Sequence, residues 1–396
     1  MRTIPFFSSL ALFVASATLL HATPLLEKTD LFTGGQGGSS LYRIPGIVVT
    51  MKGTVLAYCE ARRTSGADWG EIEVQLRRST DGGRTWDAPR HIAHKGPRIE
   101  GNPHKPTDGA HEQTVNNPVA IVDKDGTIHF LYCINYARCF YMKSADDGLT
   151  FSTPVEITAA FEAFRPRCPW NVLATGPGHG IQIKSGRLVV PIWLAYGTHP
   201  GAHAPSMAGT IYSDDHGTTW KAGAISAPNE GELKNPNEST VVELSDGRVM
   251  MNSRSVSRAS RRLITTSPDG ATGWSTPYFE NALWEPICMA GLVGLPQKPG
   301  TLLFSNPHSL EFDPATGQPL PGARGKRRNV SIKLSRDDGK TWPVNRTLEE
   351  GSSAYSDLAI LPDETVLCFY ERDKRLTIAR FNLEWLTEQA PTAVTK

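Results

Sequence analysis

Short apolar segments with a two-residue alternation recur along the chain, and turn-forming residues separate them. Asp-Gly, Asn-Pro and Ser-Asp-Gly sequences stand between the segments, and these residues suit the backbone angles of tight turns. Patterns typical of long amphipathic helices are scarce. The alternation therefore predicts an all-β antiparallel protein, with strands in segments such as GIVVT (46–50), TVLAYCE (54–60), TIHFLYC (127–133), RLVVPIWL (187–194) and TVLCFYE (365–371).

A Ser-x-Asp-x-Gly-x-Thr box followed by an aromatic residue occurs four times, at STDGGRTW (79–86), SADDGLTF (144–151), SDDHGTTW (213–220) and SRDDGKTW (335–342). A degenerate fifth copy, SPDGATGW, lies at 267–274. Successive copies start 65, 69, 54 and 68 residues apart, a spacing that suits one four-stranded propeller blade with its loops. Because the box aspartate is expected to bond amides of its own turn, we interpret the boxes as structural.

Five boxes, together with strands outside the boxes at both ends of the chain, predict a six-bladed β-propeller of four-stranded antiparallel blades. Closing such a ring leaves no open sheet edge. We expect the last blade to combine strands after Ala354 with the N-terminal strand near Leu41.

The first 22 residues have the three-part pattern of a secretory signal peptide. Arg2 gives a basic start, apolar residues follow from Phe6 to Leu20, and the small residue Ala22 ends the segment. We therefore expect residues 1–22 to be a signal peptide, residues 23–396 to form a single propeller domain, and the protein to be secreted or periplasmic. In the remaining sequence we find no apolar stretch long enough to span a bilayer.

The charge balance gives no sign of a polyanionic partner. Lys and Arg total 41 and Asp and Glu total 40, so no nucleic-acid partner is expected and any preference for an anion must come from local arginines. The six cysteines are sparse for an exported chain and mostly lie in apolar segments, which favours buried thiols over a disulfide scaffold. Cys133 and Cys139 are the first pair to test. A monomer is expected.

Four further motifs complete a resemblance to a known family. The boxes, together with YRIP (42–45), NES (237–239), MNSRS (251–255) and FYE (369–371), resemble the bacterial sialidases, also called exo-α-sialidases or neuraminidases. The resemblance covers nearly all of residues 23–396, in the family's order. It implies a retaining exo-α-sialidase that removes terminal sialic acid from glycoproteins, glycolipids or other sialylated glycans through a tyrosyl-enzyme intermediate, without a metal or other cofactor.

A terminal sialic acid carries a carboxylate on its anomeric carbon, so its site needs fixed cations with planar donors. The resemblance implies this role for Arg43 in YRIP, Arg254 in MNSRS and Arg328 in RRNVSIKLS. Arg327 competes directly with Arg328, and this basic cluster could equally be a solvated surface patch. Glu371, in LCFYERD, matches the glutamate that orients the first arginine; a simple ion pair at a strand end is the alternative.

A carboxylate nucleophile would be repelled by the substrate's own carboxylate, and sialidases are the glycosidases that use a tyrosine instead. Tyr355, in GSSAYSDLAIL, matches the family tyrosine. Because a phenol with a pKa of about 10 is a poor nucleophile at neutral pH, it needs a neighbouring base. Glu238, in NPNESTVVEL, matches the glutamate with that role. Alone, the tyrosine would equally suit a buried structural position and the glutamate a loop.

The reaction also needs an acid that protonates the departing oxygen and later activates water. The resemblance implies Asp68 in TSGADWGEIEVQLRRS, which lies 11 residues before the first box in a glycine-containing loop. Glu71 and Glu73 compete with it, although both look like residues of the following strand.

Three other signals carry less weight. His199 and His203 have ligand-like spacing, but they lie in a Gly/Pro-rich loop without a third ligand, so solvated histidines are expected there. The sequence GPGHG (176–180) precedes a strand-like segment and not the helix that a phosphate loop needs. Trp69, Trp170 and Trp193 could line a pocket for an acyl group or pack in the core.

Other functions remain open on the motifs alone. A trans-sialidase or an anhydro-forming sialidase would differ only in what accepts the intermediate. A secreted binding propeller would keep the boxes and lose the chemistry, but Asp68, Glu238 and Tyr355 are all present together with the arginines, which favours an enzyme.

Overall fold

The structure is a computed structural model, and it describes residues 23–64, 66–93, 113–199, 202–309, 315–316 and 325–388. The expected signal peptide lies outside the described residues. Within them the regular secondary structure is strand, apart from a 3₁₀ helix at Thr158–Phe164 and a short helix α1 at Leu383–Thr387. None of the described helices has the length and apolar character that a membrane crossing requires.

The strands follow one another along the chain with short connections. The first nine are β1 (Leu26–Thr33), β2 (Leu41–Val49), β3 (Val55–Arg62), β4 (Ile72–Ser79), β5 (Arg90–His91), β6 (Val115–Val122), β7 (Ile128–Ile134), β8 (Arg138–Ser144) and β9 (Val155–Glu156). The next eight are β10 (Val172–Thr175), β11 (Gly178–His179), β12 (Ile181–Gln182), β13 (Leu188–Ala195), β14 (Ser206–Ser213), β15 (Lys221–Ala227), β16 (Ser239–Glu243) and β17 (Val249–Ser253). The last eight are β18 (Arg261–Ser267), β19 (Tyr278–Trp284), β20 (Gly291–Gly294), β21 (Leu302–Pro307), β22 (Arg328–Ser335), β23 (Val344–Ile360), β24 (Val366–Arg372) and β25 (Arg375–Phe381).

These strands form five sheets, almost entirely antiparallel, with a parallel pairing of β11 and β6. Four sheets have the orders β2-β3-β4-β5, β11-β6-β7-β8-β9, β10-β13-β14-β15 with β12 also on β13, and β16-β17-β18-β19. The fifth has the order β1-β25-β24-β23-β22-β21-β20. Inner strands of neighbouring sheets contact one another, as β2 does with β6 and β23, and β16 with β20. The arrangement is an all-β propeller.

The sheets do not show the six separate four-stranded blades that the box count predicted. Among the described residues, four sheets have the four or five strands of a blade, and seven strands form one continuous sheet. The reason is β23, which is unbroken over 17 residues. Its first half pairs with β22 and its second half with β24. The spacing of the boxes predicts where turns lie. It cannot predict that one long strand pairs with two different groups of strands and makes them one sheet.

The two ends of the chain meet in the seven-stranded sheet. Strand β1 pairs with β25, from Leu26 opposite Phe381 to Thr33 opposite Arg375. The prediction that the segment near Leu41 would join the last blade is wrong, because β2 pairs with β3 and begins the first sheet. The N-terminal strand that closes the ring is the preceding one, whose mostly exposed residues hide its strand character in the sequence.

The apolar residues of each strand pack between neighbouring sheets. Tyr58 and Leu76 of the first sheet, for example, pack with Phe130 and Tyr132 of the second. Burying such a side chain contributes roughly 1.5–3 kcal/mol, so these contacts hold the sheets together. All six cysteines are buried and form no disulfide, as their apolar surroundings indicated, and Cys133 and Cys139 stand opposite each other on β7 and β8.

The boxes are turns, and each begins at the last residue of a strand: β4, β8, β14, β18 or β22. In the third box, Ser213 Oγ donates to Asp215 Oδ1 at 2.8 Å and accepts the amide of Gly217 at 2.9 Å. Thr219 Oγ1 donates to Asp215 Oδ2 at 2.6 Å. The degenerate box repeats this scheme around Asp269. The boxes are therefore self-contained hydrogen-bonded turns, as their residue types predicted.

Candidate active site

A polar pocket of about 110 Å³ lies where loops and strand ends of several sheets meet. Of the seven residues predicted for the site, five line it: Arg43, Asp68, Glu238, Arg254 and Tyr355. The other lining residues are Ile44, Asn117, Tyr136, Trp193, His203, Asn237 and Arg327. We call it the arginine pocket, because Arg43, Arg254 and Arg327 all line it.

A larger cavity of about 530 Å³ is lined mainly by aliphatic side chains of inner strands, including Ile47, Val242, Leu292 and Leu358. None of the seven predicted site residues, all of which are described, lines this cavity. Size therefore does not identify the candidate site; the convergence of charged groups does.

Glu371 fixes the position of Arg43. The Nε and Nη2 atoms of Arg43 donate to the two carboxylate oxygens at 3.1 and 3.4 Å. The same carboxylate accepts the amides of Ile44 at 3.0 Å and Tyr355 at 3.4 Å. Ile44 has a positive φ of 59° where the pairing of β2 with β3 is interrupted. One buried carboxylate thus orients the arginine and the two strands that carry Arg43 and Tyr355.

Tyr355, Glu238 and Arg254 form a second hydrogen-bonded group. The phenol OH lies 2.7 Å from both carboxylate oxygens of Glu238, and Arg254 Nη1 lies 2.8 Å from the phenol oxygen. Arg254 also pairs with Glu238, whose carbonyl accepts the Arg254 amide at 3.0 Å. Within the described part of the chain, Arg254 Nε is buried without a hydrogen-bond partner.

Burial strongly affects the Tyr355 phenol, which is only 4% exposed. Desolvation raises its pKa well above the ordinary value, although the adjacent Arg254 guanidinium acts in the opposite direction. The phenol is therefore protonated at neutral pH in this arrangement. The two oxygens of Glu238 stand where they can accept its proton.

Asp68 lies in the loop between β3 and β4, with its side chain 47% exposed. Arg62 Nη1 donates to Asp68 Oδ1 at 2.8 Å, and Arg43 Nη1 lies 3.6 Å from the same oxygen. Partial burial would raise the pKa of the Asp68 carboxyl, but Arg62 and then Arg43 outweigh it and lower the pKa. Glu60 holds Arg62 from the other side, with a 2.8 Å bond from Nη2. Asp68 is anionic here.

The third arginine that lines the pocket is Arg327 and not the predicted Arg328, and a substrate-binding role for either residue stays a prediction. Arg327 Cζ lies 5.1 Å from the Tyr355 ring centroid, and Nη2 donates to the Ile287 carbonyl at 2.7 Å. Arg328 is the first residue of β22, opposite Ser352, and is not among the described residues that line the pocket. Adjacent side chains of an extended segment point to opposite sides, so only one of the two can face the pocket.

One wall of the pocket is aromatic, and sequence reasoning undervalued it. His203 lies 4.7 Å from Tyr136, 5.3 Å from Trp193 and 6.0 Å from Trp69, measured between ring centroids. The expectation of a solvated loop histidine at 203 is wrong for this reason. The sequence offers a signal in Trp69 and Trp193 as candidate pocket residues, but nothing in it links them to Tyr136 or His203.

A metal-binding combination occurs away from the pocket. In the described ranges, the ligand atoms of Asp123, Asp125 and His216 lie within 4.8 Å of one another. Asp123 is already bonded to His216 Nδ1 at 2.7 Å and to Gln182 Nε2 at 2.7 Å. These residues do not line the arginine pocket, and the contacts suffice to explain the cluster as an ion pair between sheets.

Together, the box turns and the arginine pocket define a class of protein: a box-bearing propeller with guanidinium groups around a buried tyrosine–glutamate pair. Residues 53–368 match the family model described as a BNR repeat-like domain. Together with relatives that are 32% and 31% identical and are named as sialidases, this match shows that the chain belongs to the bacterial sialidase family.

Two relatives are named as sialidases. The chain is 32% identical over 389 residues to "Sialidase" of Micromonospora viridifaciens, an alignment that covers 92% of this chain and 55% of the relative. It is 31% identical over 367 residues to "Sialidase" of Bacteroides fragilis (strain YCH46), covering 85% of this chain and 61% of the relative. The chain thus spans less than two thirds of the length of each.

Solved structures share the fold. The structure of "Hadza microbial sialidase Hz136" superimposes with a TM-score of 0.73 at 28% identity, covering 89% of this chain and 68% of that one. An intramolecular trans-sialidase from Ruminococcus gnavus superimposes with a TM-score of 0.69 at 19% identity, covering 91% of this chain and 98% of that one. The second likeness concerns the fold alone.

Proposed function

We propose that this protein is a retaining exo-α-sialidase that hydrolyses terminal sialic acid from sialylated glycans through a tyrosyl-enzyme intermediate. The observation that carries the proposal is the contact of the Tyr355 phenol with both Glu238 oxygens, beside the guanidinium groups of Arg254 and Arg327. A buried phenol that can give its proton to a carboxylate, next to cations that can hold the substrate's anion, suits a substrate with a carboxylate at the reacting carbon.

In the first half of the reaction, Arg43, Arg254 and Arg327 bind the carboxylate of the sugar. Tyr355 attacks the anomeric carbon through an oxocarbenium-like transition state while its proton passes to Glu238. The raised pKa of Tyr355 favours attack concerted with this proton transfer, since a free phenolate would be scarce. Three cations also stabilise the phenolate character that develops on the oxygen.

Asp68 must be protonated when the glycosidic bond breaks, although its pKa is lowered in this structure. The bound substrate carboxylate would compete for Arg43, which lies 3.6 Å from Asp68 Oδ1. Sharing Arg43 with a second anion weakens its effect and raises the pKa of Asp68. Asp68 would then give its proton to the aglycone oxygen as the bond to the anomeric carbon breaks.

In the second half, water enters in place of the aglycone. Asp68, now a carboxylate, removes a proton from the water as its oxygen attacks the anomeric carbon, and the bond to Tyr355 breaks. The phenolate recovers its proton from Glu238. Two displacements at one carbon retain its configuration.

Defined sialosides test the proposal and the nature of the acceptor. We expect the protein to release free sialic acid from one or more of the α2,3, α2,6 and α2,8 isomers, and to give α-sialic acid as the first product in NMR spectra. If the product is mainly transferred or anhydro sugar, the reaction is a transfer and not a hydrolysis. If the protein binds sialosides but releases no sugar, it is a binding propeller and not an enzyme.

We also propose that residues 1–22 direct export and are removed, and that the remaining chain acts as a monomer. N-terminal sequencing of the protein recovered from the medium or periplasm tests the first part. Light scattering after chromatography tests the second, and a mass of two or more chains would contradict it.

A further inference from the structure

A buried ion pair lies behind the arginine pocket and takes no part in the proposed reaction. Arg262 of β18 pairs with Glu285, which follows β19, and both are at most 1% exposed. Arg262 also donates to Asn252 Oδ1 at 2.5 Å and to the Cys288 carbonyl at 2.9 Å. Glu285 Oε1 accepts the Cys288 amide at 2.7 Å. The pair therefore holds both ends of the segment 285–288.

That segment anchors the third arginine of the pocket. Ile287 has a φ of 61°, a left-handed conformation that is costly for a β-branched residue and persists only where neighbours impose it. In this conformation its carbonyl accepts Arg327 Nη2 at 2.7 Å. The Glu285 carboxylate also interacts electrostatically with Arg254.

We propose that Glu285 and Arg262 are positioning residues for the arginine pocket: they impose the Ile287 conformation that places Arg327 beside Arg254 for binding a carboxylate. The inference rests on the proposed function for the identity of that carboxylate. A fully buried ion pair is a poor source of stability compared with apolar packing, and holding a strained anchor gives it a role that apolar residues could not fill.

The test uses equilibrium binding, so that it does not depend on turnover. Calorimetry would compare free N-acetylneuraminic acid with its methyl ester, which lacks the negative charge. We expect Glu285→Gln to weaken binding of the acid about tenfold, the size expected for loss of one charge-assisted hydrogen bond, and to change binding of the ester by less than about threefold. A structural defect would weaken both ligands alike.

Arg78→Met is the matched control. Arg78 is also a buried arginine, bonded to Asp147 through Nε to the carbonyl at 3.0 Å and Nη2 to Oδ2 at 3.2 Å, but it does not line the pocket. We expect this variant to lower the melting temperature and leave the acid-to-ester affinity ratio unchanged.

Ile287→Gly provides a second route if Glu285→Gln fails to fold. Glycine accepts a φ of 61° without strain, so this variant should fold. Its looser backbone should lower the ratio of the affinity for the acid to the affinity for the ester. If either folded variant kept the wild-type affinity ratio, the inference would be overturned. If the wild-type protein bound the acid but released no sialic acid from any sialoside, the proposed function would fail and the positioning role would stand.

Discussion

The box turns and the arginine pocket are built from the same chemistry over very different distances along the chain. In each box, a carboxylate accepts hydrogen bonds from residues two to four positions away, as Asp215 does from Ser213 and Thr219. In the pocket, Glu238 meets a tyrosine 117 positions away, and Glu371 meets an arginine 328 positions away. The boxes can form by themselves, whereas the pocket exists only when the ring is complete.

Burial is the second difference. Box aspartates are partly exposed, and hydrogen bonds from the threonine of the same turn lower the pKa of Asp146 and Asp215 to about 2. The pocket groups are mostly desolvated, and burial raises the pKa of Tyr355. Each box turn stabilises the scaffold by a small amount, while the pocket holds groups whose protonation is set by distant partners. Substitutions in the box turns should therefore lower stability, and substitutions in the pocket should lower catalytic activity.

The largest effect is expected from Tyr355→Phe, which removes the hydroxyl that bonds Glu238 at 2.7 Å. Without its nucleophile the protein should lose at least about 10³-fold in kcat on an aryl sialoside. The matched box variant is Thr219→Val, which removes a hydroxyl bonded to Asp215 at 2.6 Å and should keep wild-type kcat. A Tyr355→Phe protein with a tenth or more of the activity would contradict the assigned nucleophile.

Asp68→Asn should distinguish leaving groups. On a sialyl oligosaccharide, loss of the general acid should cost about 10²–10⁴-fold in kcat. On a nitrophenyl sialoside, whose leaving group needs no proton, the loss should be much smaller until hydrolysis of the intermediate becomes limiting. Initial rates on both substrates measure this difference. Equal decreases in kcat on the two substrates would show that Asp68 is not the general acid.

Neighbouring arginines allow a sharper test of the pocket's boundary. Arg327→Leu should lower kcat/KM by about 10–100-fold, because a charge-assisted contact with the substrate carboxylate is lost. Arg328→Leu, one residue along the chain, should change kcat/KM by less than about threefold. The reverse order of effects would mean that the substrate engages the other side of this segment.

The smallest effect is expected from the box aspartates. The pKa of Asp146 and of Asp215 is about 2 in the folded protein, below the unfolded value of about 3.9. A lowered pKa contributes stability above the unfolded value, and that stability is lost as the pH falls from about 4 towards 2. Asp215→Asn should lower the melting temperature at pH 7 by about 2 °C and less at pH 2.5. An equal decrease in melting temperature at both pH values would show that the charge of Asp215 does not contribute to stability.

The sequence predicted best what is local. Box turns form from consecutive residues, so residue types at fixed spacing were sufficient to identify them. The alternation of apolar and polar residues is also a local pattern, so it was sufficient to predict the strands. The alternation could not reveal β1, because the residues of this strand are mostly exposed and it exists through its pairing with β25.

The pocket was predicted only as far as motifs could carry it. Arg43, Glu238, Arg254 and Tyr355 were found by resemblance and meet in the structure, and their roles stay predictions. The choice between Arg327 and Arg328 depends on which side of an extended segment faces the pocket. Two identical neighbouring residues give no information about that side. Arg62 was missed because its role depends on a loop that returns to it.

The pairing of β1 with β25 has a consequence for biosynthesis. Leu26 meets Phe381 in this pairing, so the ribosome must make almost the whole propeller before its first strand has a partner. Until then, the edge that β25 will cover stays open to other strands, and closing so long a loop slows folding. A cell that produces this chain must keep the nascent polypeptide from aggregating until the last strand has emerged.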